Sequence, residues 1–391
     1  MIYKQFKDLS LSALGFGAMR LPSTGGGYGA PIDYDKARAL LRAAYEGGIN
    51  YFDTSYFYHN GDSEAFLGKT LSEFPRESYH VASKLPGNLI RKEGAQLDVS
   101  GRTFKNPREL FDFQMNRVGV DYFDFFLLHN VSEATYSNYT NPDLALVELM
   151  VELKSQGLIK HLGFSSHGRA DTIEKFLNFL NEKKILSEFE FAMIQMNYLD
   201  DLLQGAGKKH ECLSKAGLET FVMEGLRGGK LARPGEKAEA LFKNLRPHDS
   251  PSAWAFRWLQ SRGPFKVILS GMSSMEQLKE NLDLFSRSDP LNPAEEEVIK
   301  KVIEEITERV PCTACGYCTE DCPQHLDIPL LLSMYNEAGY DMGWFLHAAI
   351  RSLKEEEKPS ACIACGACSP LCPQNIDIPK ILEDFSSKIG A

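Results

Sequence analysis

Eight of the nine cysteines in this 391-residue chain lie in two short segments. The segments read CTACGYCTEDCP and CIACGACSPLCP, and in both the cysteines are three, three and four residues apart with a proline after the last. Thiolates at this spacing bind a four-iron, four-sulfur cluster, which passes electrons singly. The predicted iron ligands are Cys312, Cys315, Cys318, Cys322, Cys362, Cys365, Cys368 and Cys372.

The duplication predicts two clusters that share both segments. In such pairs the fourth cysteine of one run usually ligates the other cluster. Cys372 is therefore expected to complete the first cluster, and Cys322 the second. Zinc is the weaker alternative, because its sites usually draw on two separated pairs of ligands. Disulfides are disfavoured because a cytosolic chain keeps its thiols reduced. The ninth cysteine, Cys212, is expected to be buried and inert.

Four titratable residues stand at the ends of short apolar runs or just after one. Asp53 ends INYFD, Lys84 ends YHVASK and His129 ends YFDFFLLH, while Tyr58 lies five residues after Asp53. A phenol can deliver a proton to a carbonyl oxygen as hydride reaches the carbonyl carbon, provided that the pKa of the phenol is lowered. The ammonium of Lys84 would lower the pKa of Tyr58, and Asp53 would hold and compensate the lysine. With His129 polarising the carbonyl, the set predicts reduction of a carbonyl or oxidation of an alcohol.

Eight β-branched or aromatic runs alternate with segments of helical period up to about residue 285. The runs are LSALGFG (11–17), INYFD (49–53), YHVASK (79–84), YFDFFLLH (122–129), KHLGFS (160–165), FAMIQMN (191–197), LETFVME (218–224) and KVILSG (266–271). Eight βα units predict an α/β fold, a (β/α)8 TIM barrel, whose catalytic residues stand at the C-terminal ends of the strands. A doubly wound open sheet alternates similarly, but it usually has fewer strands and a glycine fingerprint, and GFGAMR lacks the third glycine.

These residues resemble the aldo/keto reductases over roughly the first 285 positions. FDTSYFYHNGDSEAFLG is similar to the family's Asp-Thr-Ala run, its Tyr and its Ser-Glu-x-x-Leu-Gly helix entry. RVGVDYFDFFLLH is similar to the family's Arg-Leu-Gly-x-Asp-x-x-Asp approach to its histidine. The resemblance implies a barrel that uses NADPH or NADH. It also implies that Asp53, Tyr58, Lys84 and His129 form the catalytic tetrad, with Tyr58 as the general acid.

The resemblance further implies a nicotinamide site. LGFSSH is similar to the family's Gly-x-Ser-Asn turn and would place Ser165 and Ser166 near the carboxamide. Gln195 of IQMNY would lie beside them, with Asn197 a weaker candidate.

The chain departs from the family pattern at two places that concern the cofactor. Met223 stands where an aromatic ring often stacks on the nicotinamide. ILSGMSSMEQLKENL resembles the family's segment for the adenosine ribose, and its positions that would bind a 2′-phosphate through a basic group read Gly271 and Gln277, so the choice between NADP and NAD stays open. The implied cofactor-binding residues are Gly17, Ala18, Met19, Ser165, Ser166, Gln195, Met223, Gly225, Leu226, Gly229, Lys230, Gly271, Gln277, Glu280 and Asn281.

The domain organisation is predicted as a barrel over 1–285, a linker and helix over 286–310, and a small domain over 311–391. In the linker region Asn292 is the expected N-cap and Pro293 the first helical residue. The stretch 324–361 between the cysteine runs reads as one or two helices, so the small domain is predicted to be mainly α-helical and ferredoxin-like. Metal assembly is expected to drive its folding.

Charge and hydropathy limit the partners. The formal net charge is −10, and residues 301–391 contain 14 acidic and 7 basic side chains, so nucleic acid is not expected to bind. The acidic surface would suit a basic electron-transfer protein, although a solvated face that aids solubility is the simpler interpretation. The chain has no signal-like start and no long uncharged apolar run, so a cytoplasmic protein without a membrane segment is expected.

Two chemistries must be joined, because hydride carries two electrons and a cluster carries one. The first hypothesis is a nicotinamide-dependent reductase of a small carbonyl compound, whose clusters exchange electrons with an external protein or form a docking domain. The alternative is an electron relay whose barrel binds a flavin or a partner, although no flavin motif is visible. A non-catalytic scaffold is a third interpretation. The substrate would be set mainly by the loops 22–31 and 86–107.

Overall fold

Eight parallel strands close into a barrel. The computed structural model describes residues 1–25, 30–93, 96–307, 310–313 and 315–390. With all strands in these ranges numbered along the chain, the barrel strands are β3 (Leu14–Gly17), β4 (Tyr51–Asp53), β5 (His80–Leu85), β9 (Phe123–Leu128), β10 (Ile159–Ser166), β11 (Phe189–Gln195), β12 (Glu219–Met223) and β13 (Ile268–Ser270). Each overlaps one of the eight apolar runs, and β13 pairs with β3 to close the barrel. The prediction of a (β/α)8 barrel is confirmed.

A β-hairpin covers one end of the barrel. It consists of β1 (Tyr3–Phe6) and β2 (Leu9–Ser12), and its Phe6 ring packs edge to face on Phe191 and Phe221. The ring of Phe125 lies among these three at 5.4 to 5.8 Å. The interior is therefore a packed aromatic core and not an open channel.

Twelve helices in the described ranges belong to the barrel and its connections. They are α1 (Tyr34–Glu46), α2 (Asp62–Leu71), α3 (Pro107–Val118), α4 (Tyr136–Thr140), α5 (Leu146–Ser155), α6 (Ala170–Glu182), α7 (Tyr198–Leu203), α8 (Ala206–Lys215), α9 (Glu236–Leu245), α10 (Pro251–Arg262), α11 (Met275–Leu284) and α12 (Pro293–Ile306). Helix α12 begins as predicted, with Asn292 and Glu295 in a reciprocal capping box and Pro293 in the first turn. Its Ile299 and Val302 are buried in the core that surrounds the barrel, so this helix packs on the reductase-like part.

The loop after the third barrel strand contains a small antiparallel sheet. Its strands are β6 (Ile90–Glu93), β7 (Gln96–Val99) and β8 (Arg102–Phe104). Val99 and Phe104 are buried, so the predicted substrate loop 86–107 is anchored to the core. The other predicted substrate loop, 22–31, includes residues 26–29, which lie outside the described residues.

The C-terminal part is small and helical, as predicted. Its helices are α13 (Tyr317–Glu320), α14 (Ile328–Tyr340), α15 (Trp344–Ser352) and α16 (Ile378–Ile389). The two cysteine runs have matching backbones, because Gly316 and Gly366 both have positive φ, as do His325 and Asn375. None of the helices in the described ranges combines the length and the hydrophobicity needed to span a lipid bilayer. The boundaries of the three predicted segments stay predictions.

Candidate functional site

The inward-facing side chains at the C-terminal end of the barrel belong to residues that were predicted from the sequence to be functional. Side chains that face into a barrel recur at every second position of a strand. The middle layer is large and apolar, as at Tyr51, Leu127 and Met193. The residues two positions after this layer, toward the C-terminal end of each strand, are Gly17, Asp53, Lys84, His129, Ser165, Gln195, Met223 and Gly271. The barrel geometry therefore brings these eight predicted residues to one mouth.

Asp53, Lys84 and Tyr58 form a connected polar chain at this mouth. The Lys84 ammonium donates to Asp53 Oδ1 at 2.6 Å and to the Thr54 carbonyl at 2.8 Å, and its Nζ lies 3.4 Å from Tyr58 Oη. Asp53 and Lys84 are almost fully buried. Burial raises the pKa of Asp53 and lowers the pKa of Lys84, while their mutual attraction opposes both shifts. The lysine is thus a buried cation held against the phenol oxygen.

His129 lies beside this chain. The Ser55 hydroxyl is 3.0 Å from His129 Nδ1, and the Phe57 ring stacks on the imidazole at 4.9 Å between centroids. Burial, with the nearby charge of Lys84, lowers the pKa of His129 well below its ordinary value. The imidazole is therefore neutral at physiological pH and keeps both a donor and an acceptor nitrogen.

The position of Tyr58 is fixed by a sharp turn after β4. Tyr58 begins a short 3-10 helix, and the next three residues, His59, Asn60 and Gly61, all have positive φ. His59 Nε2 accepts a hydrogen bond from the Leu21 amide at 3.2 Å, which ties this turn to the segment after β3. A left-handed backbone at two non-glycine residues is unfavourable, and a functional site is where such strain accumulates.

Residues of the family-like motifs outside the tetrad form hydrogen bonds that hold the tetrad in place. Glu64 of SEAFLG is fully buried and accepts from Ser83 at 2.5 Å and from Gln114 at 2.8 Å. Arg117 of RVGVDYFD donates to Glu64 at 2.6 Å and to the Tyr56 carbonyl at 2.7 Å. These contacts link α2 and α3 to β5 next to Lys84. Their role is to hold the strand that carries the lysine.

The residues predicted near the carboxamide lie together at the ends of β10 and β11. Ser165 Oγ accepts from the Asn130 amide at 2.8 Å, while Ser166 donates to the Val131 carbonyl at 2.6 Å. Gln195 Nε2 donates to the Asp200 carboxylate at 2.7 Å.

Asn197, the weaker candidate beside Gln195, caps a helix. It is fully buried, and its Oδ1 accepts from the Leu199 and Asp200 amides at the start of α7. Its amide group also donates to the Glu224 carbonyl at 2.9 Å. These contacts give Asn197 a structural task.

Three residues that the sequence interpretation did not select lie at the same mouth. His167 Nδ1 is 2.7 Å from Gln195 Oε1, and burial lowers its pKa to about 3. The Arg20 side chain lies against both Gly228 and Gly271, so that a methyl group at Gly271 would come within 3.2 Å of it. Arg227 is buried and bridges two carboxylates. Arg20 and His167 are the last residues of the quoted segments GFGAMR and LGFSSH, and this position is the signal that could have identified them.

The implied cofactor-binding residues Gly225, Leu226, Gly229 and Lys230 lie in the loop after β12. Met223 ends this strand, and the next residues form a 3-10 helix, Arg227–Ala232, after Gly225 and Leu226. Gly228 and Gly229 have φ of 67° and 95°. Lys230 in this helix forms an ion pair with Asp341, a residue just after α14. The loop therefore contacts both the barrel mouth and the C-terminal domain.

The predicted adenosine-end residues also have partners. Gln277 Oε1 accepts from the Ser273 amide at 2.8 Å, and Asn281 donates to Ser270 at 3.0 Å. Glu280 accepts a hydrogen bond from Ser250, the N-cap of α10. At the other side of the mouth, Ala18 and Met19 form a 3-10 turn with Arg20 directly after β3.

The eight cysteines of the duplicated runs surround two cavities in the pattern predicted by cross-ligation. The first cavity is lined by Cys322, Cys362, Cys365 and Cys368. The second is lined by Cys312, Cys315, Cys318 and Cys372. Three thiols of one run and the fourth thiol of the other run line each cavity, which fits two cross-ligated four-iron clusters.

The ninth cysteine is separate from these cavities. Cys212 lies in α8 and forms no disulfide, and it is only partly buried, in contrast to the expected full burial. Partial burial raises the pKa of its thiol, which disfavours the reactive thiolate, and the inert role stays a prediction.

Comparison with known proteins agrees with this geometry. The chain matches the aldo/keto reductase family over residues 13–304 and a 4Fe-4S dicluster domain over residues 311–377. It is 26% identical over 302 residues to an NADH-specific methylglyoxal reductase of Escherichia coli K12, which covers 70% of this chain and 90% of the relative. A pyridoxal 4-dehydrogenase of Microbacterium luteolum is 26% identical over 320 residues, covering 72% and 92%.

A solved structure supports the same conclusion. The holo form of the aldo-keto reductase AKR11C1 from Bacillus halodurans superposes with a TM-score of 0.57 at 25% identity, covering 77% of this chain and 96% of that one. The residues matched to the reductase family include all eight barrel strands and α12 up to residue 304. The chain is therefore an oxidoreductase that belongs to the aldo/keto reductase family and has a 4Fe-4S dicluster domain after the barrel.

Proposed function

We propose that this enzyme reduces a small aldehyde or ketone with NADH or NADPH, and oxidises the alcohol in reverse, through Asp53, Lys84, Tyr58 and His129. The observation that carries the proposal is the buried chain from Asp53 through Lys84 to Tyr58 beside a neutral His129. The relatives that reduce methylglyoxal or oxidise a pyridoxal-type compound support small carbonyl compounds as the substrate class.

The chain's own residues supply the acid chemistry. Tyr58 delivers the proton to the carbonyl oxygen, because the Lys84 ammonium stabilises the phenolate that remains. Asp53 keeps Lys84 charged in spite of its burial. His129 is neutral, and it orients the carbonyl oxygen by a hydrogen bond from its imidazole while Ser55 fixes the ring.

The residues after β3 and β12 fit a nicotinamide cofactor, which supplies hydride when bound. Gly228 and Gly229 are left-handed and Gly229 has open space around it, so that backbone amides can approach a phosphate closely. Arg20 adds a guanidinium next to Gly228 and Gly271. It is the basic group that the adenosine segment lacks, and it would favour a phosphate-bearing ligand. Ser165 and Gln195 would bind the carboxamide.

The test of this function is turnover with defined carbonyl compounds. We expect anaerobic, cluster-loaded enzyme to oxidise NADH or NADPH when methylglyoxal or pyridoxal is added, measured by loss of the reduced nicotinamide absorbance. Each cofactor is tested separately, since the identity of the preferred one follows from the ratio of kcat/KM values. Absence of turnover with both compounds and both cofactors, together with a flavin released on denaturation, would instead support the electron-relay alternative.

We further propose that the two cavities hold 4Fe-4S clusters that pass single electrons to or from an external protein. Cys315 and Cys365 are exposed. Tyr317 is 63% exposed and Ile363 is 59% exposed, and each lies within a cysteine run. Residues 311–350 and 359–379 contain no lysine or arginine. An apolar surface with acidic surroundings favours a basic electron-transfer protein as the partner. Cysteines that are to bind iron must stay reduced until the clusters assemble, which supports a reducing compartment such as the cytoplasm.

The charge of the partner can be tested with cytochrome c as a basic acceptor. We expect pre-reduced enzyme to reduce cytochrome c at a rate that falls steeply with ionic strength, because electrostatic steering is screened by salt. Replacing the exposed Asp321, Asp327 and Asp377 by asparagine should lower that rate about tenfold at low salt and flatten its salt dependence.

A matched variant has the same loss of charge on the barrel side. Glu297, Glu304 and Glu305 of α12 are exposed, and their replacement by glutamine should change the rate little. Equal effects of the two triple variants would show that only net charge matters, and a rate independent of salt would contradict docking at the acidic surface.

A further inference from the structure

A buried ion-pair network joins the two domains. Arg227, in the loop after β12, donates to Asp200 Oδ1 at 2.6 Å and to Glu337 Oε1 at 2.9 Å. Asp200 belongs to α7 of the barrel, and Glu337 belongs to α14 of the dicluster domain. Gln204 also donates to Glu337, at 2.7 Å. The exposed fractions of Asp200, Arg227 and Glu337 are 0%, 7% and 9%, so one guanidinium holds two buried carboxylates from different domains.

The network extends to the nicotinamide end of the barrel mouth. Asp200 Oδ2 accepts from Gln195 at 2.7 Å, and Gln195 Oε1 is 2.7 Å from His167 Nδ1. Both polar ends of the Gln195 side chain are therefore fixed by neighbours. The path from Glu337 to Gln195 passes through two side chains, Arg227 and Asp200.

The opposite end of α14 borders the cluster cavities. Ile328, its first residue, lines the cavity of Cys322, and Pro329 and Leu332 line the cavity of Cys372. Glu337 lies nine residues after Ile328, which is about 14 Å along a helix. One rigid helix thus contacts both cavities at its start and the Arg227 network near its end.

Arg227 holds the loop in an unfavourable conformation. Its φ is 45°, and Gly228 and Gly229 continue with positive φ, so three successive residues are left-handed. Only the glycines adopt this geometry without strain. The Arg227 guanidinium lies over the Tyr340 ring at 5.1 Å from its centre, and Lys230 forms an ion pair with Asp341. Both contacts attach the loop to the end of α14.

We infer that Glu337 of the dicluster domain is a positioning residue for the cofactor site of the barrel. Through Arg227 and Asp200 it fixes the phosphate-binding loop and Gln195, so that cofactor binding and the charge of the clusters influence each other. This inference rests on the proposed function, because it assigns Gln195 and the loop after β12 to a nicotinamide cofactor. Linkage makes this coupling reciprocal. The free energy by which reduction of a cluster changes cofactor binding must equal the free energy by which cofactor binding shifts the potential of that cluster.

The first test is the variant Glu337→Gln, which keeps the shape and removes the charge. We expect the dissociation constant of NADH or NADPH, measured by fluorescence titration, to rise about tenfold, since a charged hydrogen bond is weakened. KM for the cofactor should rise while kcat changes little, which is the pattern of lost binding rather than of lost chemistry. Arg227→Lys should act alike, because an ammonium lacks the planar fork that spans two carboxylates. The double variant should bind the cofactor no more weakly than either single variant, since all three variants break the same network.

The second test is the reciprocal measurement. In the unaltered enzyme, saturating cofactor should shift the midpoint potential of a cluster in a redox titration followed by electron paramagnetic resonance. A tenfold coupling corresponds to about 59 mV for a one-electron couple. The shift should shrink in Glu337→Gln, an effect that a merely structural role would not produce.

The control is Asp384→Asn, the same kind of change at a half-exposed carboxylate of the dicluster domain that contacts Tyr335 and Lys388. It should leave cofactor affinity and potentials unchanged. The inference would be overturned if Glu337→Gln and Arg227→Lys both kept their iron and bound the cofactor with an unchanged dissociation constant. It would also be overturned if saturating cofactor did not shift the cluster potentials of the unaltered enzyme. If Glu337→Gln loses iron, Arg227→Lys decides, because it leaves every residue of the dicluster domain unchanged. Failure of the unaltered enzyme to bind either cofactor would refute the proposed function itself, and the inference with it.

Discussion

Tyr58→Phe is expected to lower kcat for carbonyl reduction by a factor of about 10² to 10⁴, the usual contribution of a general acid. The phenol oxygen lies 3.4 Å from the Lys84 ammonium, and phenylalanine removes the phenol proton while keeping the ring. The loss should appear equally in kcat and kcat/KM, because the proton is transferred only in the transition state. Steady-state kinetics with methylglyoxal and the preferred cofactor measure both values.

Tyr56→Phe is the matched control. Tyr56 is also buried, lies two residues earlier, and its hydroxyl contacts the Val99 carbonyl at 3.4 Å away from Lys84. We expect this variant to keep kcat within about threefold. Cofactor binding should be unchanged in Tyr58→Phe, so an intact dissociation constant combined with retained turnover would refute the assignment of the proton donor and leave the cofactor site standing.

The barrel could be predicted closely because its information is local. Each strand is a short apolar run, and the inward residue two positions beyond the buried layer is the functional one, as at Asp53 and Lys84. The position of the Tyr58 side chain near Lys84 depends on the left-handed backbone of the three residues after it, which residue propensities do not predict. The motif identifies the tyrosine, but only the fold shows why it meets the lysine.

The contacts between elements distant in sequence could not be predicted. Arg20 and Gly271 are 251 positions apart, and the ion pair of Arg227 with Glu337 spans 110. Glycine and glutamine in the adenosine segment indicated that no basic group is present there, whereas Arg20 enters this region from the turn after β3. Residue spacing cannot show a side chain that arrives from another strand, because the closure of the barrel creates the neighbourhood.

The cluster ligands give the second large expected effect, a pairing of phenotypes across the two cysteine runs. Cys322 lies in the first run but lines the cavity of Cys365, whereas Cys372 lies in the second run and lines the cavity of Cys315. Cys322→Ser should therefore lose the same cluster signal as Cys365→Ser, and Cys372→Ser the same signal as Cys315→Ser. In each variant the iron content should fall from eight atoms per chain toward four, since the dicluster domain holds two four-iron centres.

The pairing distinguishes cross-ligation from two independent runs. Electron paramagnetic resonance of the reduced variants identifies which cluster is lost or altered, and Cys212→Ser, outside both cavities, should keep both signals. If Cys322→Ser shared its missing signal with Cys315→Ser, each run would ligate its own cluster and the cavity arrangement would be wrong. Because each cluster joins both runs, any of the four variants should also lower the melting temperature of the dicluster domain, whose core includes Cys318 and Cys368. Carbonyl reduction by the barrel should survive with weaker cofactor binding, since the Asp53, Lys84 and Tyr58 chain lies entirely within the barrel.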